Sequence, residues 1–153
     1  MNYIKPLIKN ITNDFESRDP KAIAEKANLN IKYMPLSKNL KGIVAFDSVA
    51  KIKSIIVDSG LNDIMKKYIL SHELGHVFLH PGAGKFFIEK HTYQVTDKRE
   101  KEANEFAAEL LIRDKQLNEL IKTYRLTSKI AYELGVPESL LKIKLKNNLY
   151  FFD

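Results

Sequence analysis

The chain has 153 residues, 44% of them hydrophobic and 29% charged, with no cysteine and a formal net charge of +6. That length suffices for one domain with its own core. The lack of cysteine excludes a disulfide framework, a zinc ribbon and a thiol nucleophile, so any metal site must be built from histidine and carboxylate. Much of the positive charge is lysine scattered along the chain, which reads as a solvated surface.

The opening "MNYIKPLIKN" has lysines but no apolar stretch of signal-peptide length, and no run approaches the ~18 apolar residues of a membrane span. A cytoplasmic protein without a membrane segment is expected. With no repeat, low-complexity tract or Pro/Gly/Ser-rich linker, a single domain over 1–153 is expected. Its parts would be a helical N-terminus (1–28), a small sheet (29–60), a first major helix (61–80), a second (96–112) and C-terminal helices (114–147).

Residues 2–16 read as helical. Asp19 before Pro20 is a helix start, cap followed by proline at the first position, and "KAIAEKANL" supplies the short helix behind it. Three β-leaning pieces follow near 30–36, 42–47 and 51–58, rich in Ile, Val, Phe and Tyr, with Ser48, Gly60 and Asn62 as turn residues. Their connections are too short for helical crossovers, so an antiparallel sheet is expected. From Asn62 to His80, Ile64, Tyr68, Ile69 and Val77 recur with helical spacing, and Pro81-Gly82 stops the run. "VTDKREKEANEFAAELLI" predicts the second helix, with Thr96 or Asp97 as cap and Ala103, Phe106, Ala107, Leu110 and Leu111 on one face. Helical pieces at 114–124, 127–134 and 138–147 close the chain. Helix, sheet, then helices gives an α+β class.

Three of the four histidines, His72, His76 and His80, fall inside "LSHELGHVFLHP". His72 and His76 are four apart on a helix, so both side chains leave one face and can converge on one ion. With Glu73 between them as general base, this is the zincin-like HExxH arrangement. Ile69, Leu70, Leu74, Val77 and Phe78 around it are uncharged and keep such a site partly dry. Gly75 costs about 1 kcal/mol inside a helix, which suggests close approach of a neighbouring element.

A catalytic zinc needs a third protein ligand. His80 is one candidate, but a helix rotates about 40° over each four-residue step, so three successive histidines cannot easily ring one ion. His80 is expected instead as a helix-end histidine favoured by the dipole. Among Glu100, Glu102, Glu105 and Glu109, spacing favours Glu100 at the edge of the inward face, whereas Glu102 and Glu109 align less centrally and Glu105 points away. Asp97-x-x-Glu100 also reads as a capping box, in which Glu100 merely satisfies a backbone N–H.

"YILSHELGHVFLH" followed by "EKEANEFAAELLI" resembles the ImmA/IrrE family of zinc-dependent metallopeptidases, many of them encoded by phages and mobile elements. The resemblance spans about residues 30–147. It implies zinc ligands at His72, His76 and Glu100, a catalytic glutamate at Glu73, and a supporting position for Asn104 one turn after Glu100. Arg113 stands where the family often has proline. The family's substrate would be a helix-turn-helix repressor; residues 1–60 show no such motif, so a repressor would be a separate chain. His91 or Tyr93 is a candidate for stabilising an oxyanion. Two rival readings remain. One is a protein-interaction module with a vestigial site. The other is direct DNA binding through "LTSKIAYELGVPESLLKIKL" (126–145), with Lys142, Lys144 and Lys146; against it, Leu140, Leu141, Ile143 and Leu145 suit a packing helix, and no Arg, Asn or Gln stands near that helix's start.

Overall fold

The computed structural model describes residues 3–81 and 93–148. Among them the order is α1 (Ile4–Asp14), α2 (Pro20–Lys26), β1 (Asn30–Met34), β2 (Gly42–Asp47), β3 (Ile52–Asp58), α3 (Asp63–Leu79), α4 (Tyr93–Leu111), α5 (Asp114–Thr123), α6 (Thr127–Leu134) and α7 (Glu138–Asn147). This is the α+β class expected. Asp19 caps α2 by accepting from the Lys21 N–H, with Pro20 in the first turn, and the Asn62 side chain caps α3 from the Met65 N–H at 2.9 Å.

The sheet corrects one expectation. Its strand order is β1-β3-β2, with β2 antiparallel to β3 but β1 parallel to β3, so it is mixed rather than wholly antiparallel. The connection that matters for β1 and β3 is not a loop between neighbours in sequence. It is all of residues 35–51, including β2, which is long enough for a parallel crossover without a helix.

α4 joins two apolar clusters. Phe106 and Leu110 pack with Ile4, Ile8, Val44, Ile55, Ile69 and Leu74, while Ala107 and Ala108 pack with Leu117, Ile130, Leu140 and Leu141. Its C-terminal carbonyls, which lack intrahelical partners, are met by the Arg18 guanidinium, donating to Glu109 O at 2.5 Å and Leu110 O at 3.2 Å. Arg113, the departure from the family's proline, sits extended ahead of α5. α6 ends at Gly135 in the left-handed region (φ 65°), and α7 buries Leu140, Leu141 and Lys144. The motif at 126–145 thus spends its second helix on packing. Among the described residues no helix is long and apolar enough to cross a membrane.

Gly75 is where α3 and α4 touch. A Cβ there would lie 3.0 Å from Ala103 Cα, 3.1 Å from its carbonyl oxygen and 3.1 Å from Phe106 Cβ. The obstacle is largely backbone of a helix packed on both sides, so it yields poorly. Gly75→Ala is therefore expected to lose stability, because overpacking costs about 1–3 kcal/mol against the ~1 kcal/mol that alanine gains in helix propensity. Thermal melting checks this; an unchanged or higher melting temperature would mean that α4 gives way.

Candidate metal centre

α3 brings His72 and His76 to one face, with rings 4.7 Å apart and nearly perpendicular. Their Nε2 atoms are 3.1 Å apart. From α4, Glu100 reaches both, Oε2 at 3.1 Å from His72 Nε2 and Oε1 at 3.1 Å from His76 Nε2. Among the described residues this trio forms a group of donors close enough to share an ion. Three donors bound to zinc at about 2.0–2.2 Å in tetrahedral geometry stand roughly 3.3 Å from one another, so the triangle fits with small adjustment.

Hydrogen bonds aim the donors. His72 Nδ1 is 2.8 Å from Asn104 Oδ1, which also accepts from the Tyr68 hydroxyl at 2.8 Å. A carbonyl oxygen only accepts, so Nδ1 of His72 carries a proton; the neutral ring then turns its Nε2 lone pair toward the triangle, and the charged ring donates from Nε2 to Glu100. Asn104 thus has the supporting place that the family resemblance implied. The field at the triangle favours positive charge. Burial pushes the His72 imidazole down, but its hydrogen bond to Glu100 and the charges of Glu73 and Glu100 outweigh this and raise it. Hydrogen bonds from His72 and His76 hold Glu100 far below the usual carboxylate range, against its partial burial.

The alternative for Glu100 as a helix cap is removed by where α4 begins. The helix starts at Tyr93, so Glu100 is well inside it and not at the third helical position that a capping box needs. His91 lies outside the described residues, and of Tyr93 only the backbone is described; neither bears on an oxyanion role.

Glu73 faces the same cleft of about 360 Å³, lined also by residues 39–42. It is only 5% exposed. Burial pushes its carboxyl above the ordinary range, helped by Glu100 and opposed by the two histidines. A Cβ on Gly42 would stand 2.9 Å from Glu73 Oε1 and 2.5 Å from the Ile69 side chain, so the start of β2 passes directly over the glutamate. Gly42→Ala is expected to dislodge the Glu73 carboxylate and impair activity more than folding, as kcat measured beside a melting curve would show.

His80 is not in the triangle. It caps α3 and turns to Glu102, Nε2 to Oε2 at 2.7 Å. Spacing on α4 understated Glu102, which is 5% exposed, and gave no sign of its third neighbour, Tyr3, whose hydroxyl donates to Oε1 at 2.6 Å. The only local signal was that Glu102 lies one turn before the buried Phe106.

Comparison with known proteins agrees with this geometry. Residues 24–146 match the family model described as the IrrE N-terminal-like domain of peptidases. The chain belongs to this IrrE-like peptidase family. It is 33% identical over 141 residues to a protein named immunity region protein 2 from Bacillus phage phi105, covering 92% of this chain and 88% of that one. It is also 37% identical over 82 residues to the metallopeptidase ImmA of Bacillus subtilis strain 168, covering 52% of this chain and 48% of ImmA. As an ImmA/IrrE-like metallopeptidase, the chain has a family that implies a metal, and His72, His76 and Glu100 suit one.

Proposed function

We propose that this IrrE-like chain is a zinc-dependent, gluzincin-like endopeptidase in which His72, His76 and Glu100 hold the ion and Glu73 is the general base. The observation that carries this reading is the convergence of two imidazole nitrogens and one carboxylate at 3.1 Å from one another. A zinc ion in such a set supplies Lewis-acid activation of water and of the scissile carbonyl. Glu73 takes a proton from the attacking water and returns it to the leaving amine. The low exposure of Glu73 and the approach of β2 keep bulk water from that carboxylate. β2 pairs with β3 along one side only among the described residues, so its other edge is free to align an extended peptide beside the triangle.

The substrate in this proposal is a helix-turn-helix repressor on a separate chain, in the cytoplasm, whose cleavage derepresses genes of a mobile element or a stress response. Support comes from the phage relative named for an immunity region and from ImmA. Among the described residues α1, α2 and the sheet pack into one core, so none of these elements is free to act as a DNA reader. The test is incubation of zinc-loaded protein with repressors of this class, read by intact-mass spectrometry. Discrete fragments with wild type and none with Glu73→Gln are expected; cleavage of unfolded proteins alone, sparing every such repressor, would overturn the substrate class.

A further inference from the structure

His72 and His76 are oriented by different means. Nδ1 of His76 is 3.3 Å from Nδ1 of His80, and Nε2 of His80 is 2.7 Å from Glu102 Oε2. Glu102 also accepts from the Tyr3 hydroxyl. The side chains of His80 and Glu102 are 8% and 7% exposed, so water does little to replace these bonds.

Donor and acceptor roles follow one at a time. An ionised carboxylate only accepts, so the proton between His80 and Glu102 is on Nε2 of His80. For Nε2 of His76 to hold a metal its Nδ1 must carry the ring's proton, so Nδ1 of His80 is the acceptor in the metal-binding arrangement. The neighbouring Nδ1 of His76 then donates, and Nε2 of His76 keeps its lone pair toward His72 and Glu100, the side on which a ligand needs it. Asn104 imposes the same tautomer on His72 with a single amide.

We propose that His80 is a positioning residue that, held by Glu102 and Tyr3, fixes the tautomer and ring orientation of His76 for metal binding. The chain Tyr3–Glu102–His80–His76 ties the start of α1 to the metal centre, Tyr3 and Glu102 being 99 positions apart in sequence. This inference rests on the reading of His72, His76 and Glu100 as the metal site and adds to it a histidine that is not a ligand. Hydrogen bonds to a ligand's distal nitrogen commonly contribute 10- to 100-fold in metal affinity.

The experiment is zinc affinity of the full chain by competition with a chromophoric chelator at one fixed pH, with melting of each metal-free variant alongside. His80→Leu keeps much of the bulk and lacks an acceptor; it is expected to bind zinc about 10- to 100-fold more weakly. His80→Asn places a carbonyl oxygen near the lost Nδ1 and should recover most of that loss. Glu102→Gln should weaken zinc in the wild-type background but add little in His80→Leu, since it acts through His80. Equal affinities for wild type and His80→Leu, or equal losses in His80→Leu and His80→Asn, would overturn the positioning role while leaving the metal site standing. A wild-type chain that takes up no zinc would overturn both.

Discussion

Glu73→Gln is expected to bind metal as wild type does and to lose peptide hydrolysis by a factor of about 10²–10⁴, the usual contribution of a positioned acid–base group. The substitution is close to isosteric, and Glu73 lies outside the triangle of His72, His76 and Glu100. The amide still fits beneath Gly42 but cannot take a proton from water. Metal content by elemental analysis and cleavage of one peptide substrate check the two halves separately. Full activity in Glu73→Gln would remove the general base from the mechanism. Loss of metal together with activity would mean that Glu73 belongs to the binding set.

The second large effect is expected far from the cleft. Lys144 is 1% exposed, yet its ammonium lies 2.6 Å from Glu109 Oε2 and 2.7 Å from Asp114 Oδ1. Asp114 Oδ1 has no directed hydrogen bond, so Lys144 satisfies it as a charge, and Lys5 pairs with the same carboxylate. Lys144→Met keeps the apolar stem but leaves two acidic groups facing each other without their shared cation. Breaking a buried pair in this way costs about 3–5 kcal/mol, or roughly 10 °C of melting temperature in a domain of this size.

The loss should depend on pH. Burial pushes the Asp114 carboxyl up, but the close ammonium groups of Lys144 and Lys5 outweigh it and hold the group below its ordinary value. A depressed carboxyl contributes stability above its unfolded pKa, and that contribution disappears as the pH falls through the folded value. The gap between wild type and Lys144→Met should therefore be widest near neutrality and narrow below about pH 4. A gap that is the same at both pH values would assign the loss to packing.

How much of this was legible in the sequence differs by residue. His72, Glu73 and His76 could be read directly, because helix periodicity alone puts the two histidines on one face. Glu100 was legible only up to a choice between ligand and cap. The start of α4 at Tyr93, which no residue near Asp97 announces, speaks against the cap and leaves the ligand role as the proposal. The parallel pairing of β1 with β3 is not visible in the loop lengths between consecutive strands, because the crossover includes β2 itself. Helix rotation sets His80 apart from the triangle, but its bond to Glu102 and the further link to Tyr3 depend on how α1, α3 and α4 pack. Lys144 read as part of a basic helix, and only its place against α4 shows it as a buried counter-ion.

The most direct test of the metal centre is zinc per chain by elemental analysis in wild type, Glu100→Ala and, as a control, the exposed and remote Glu119→Ala. About one ion per chain is expected in wild type and Glu119→Ala, and far less in Glu100→Ala, as befits a site with three protein ligands. Zinc retained in full by Glu100→Ala, or no zinc in wild type after incubation with the metal, would contradict the assignment.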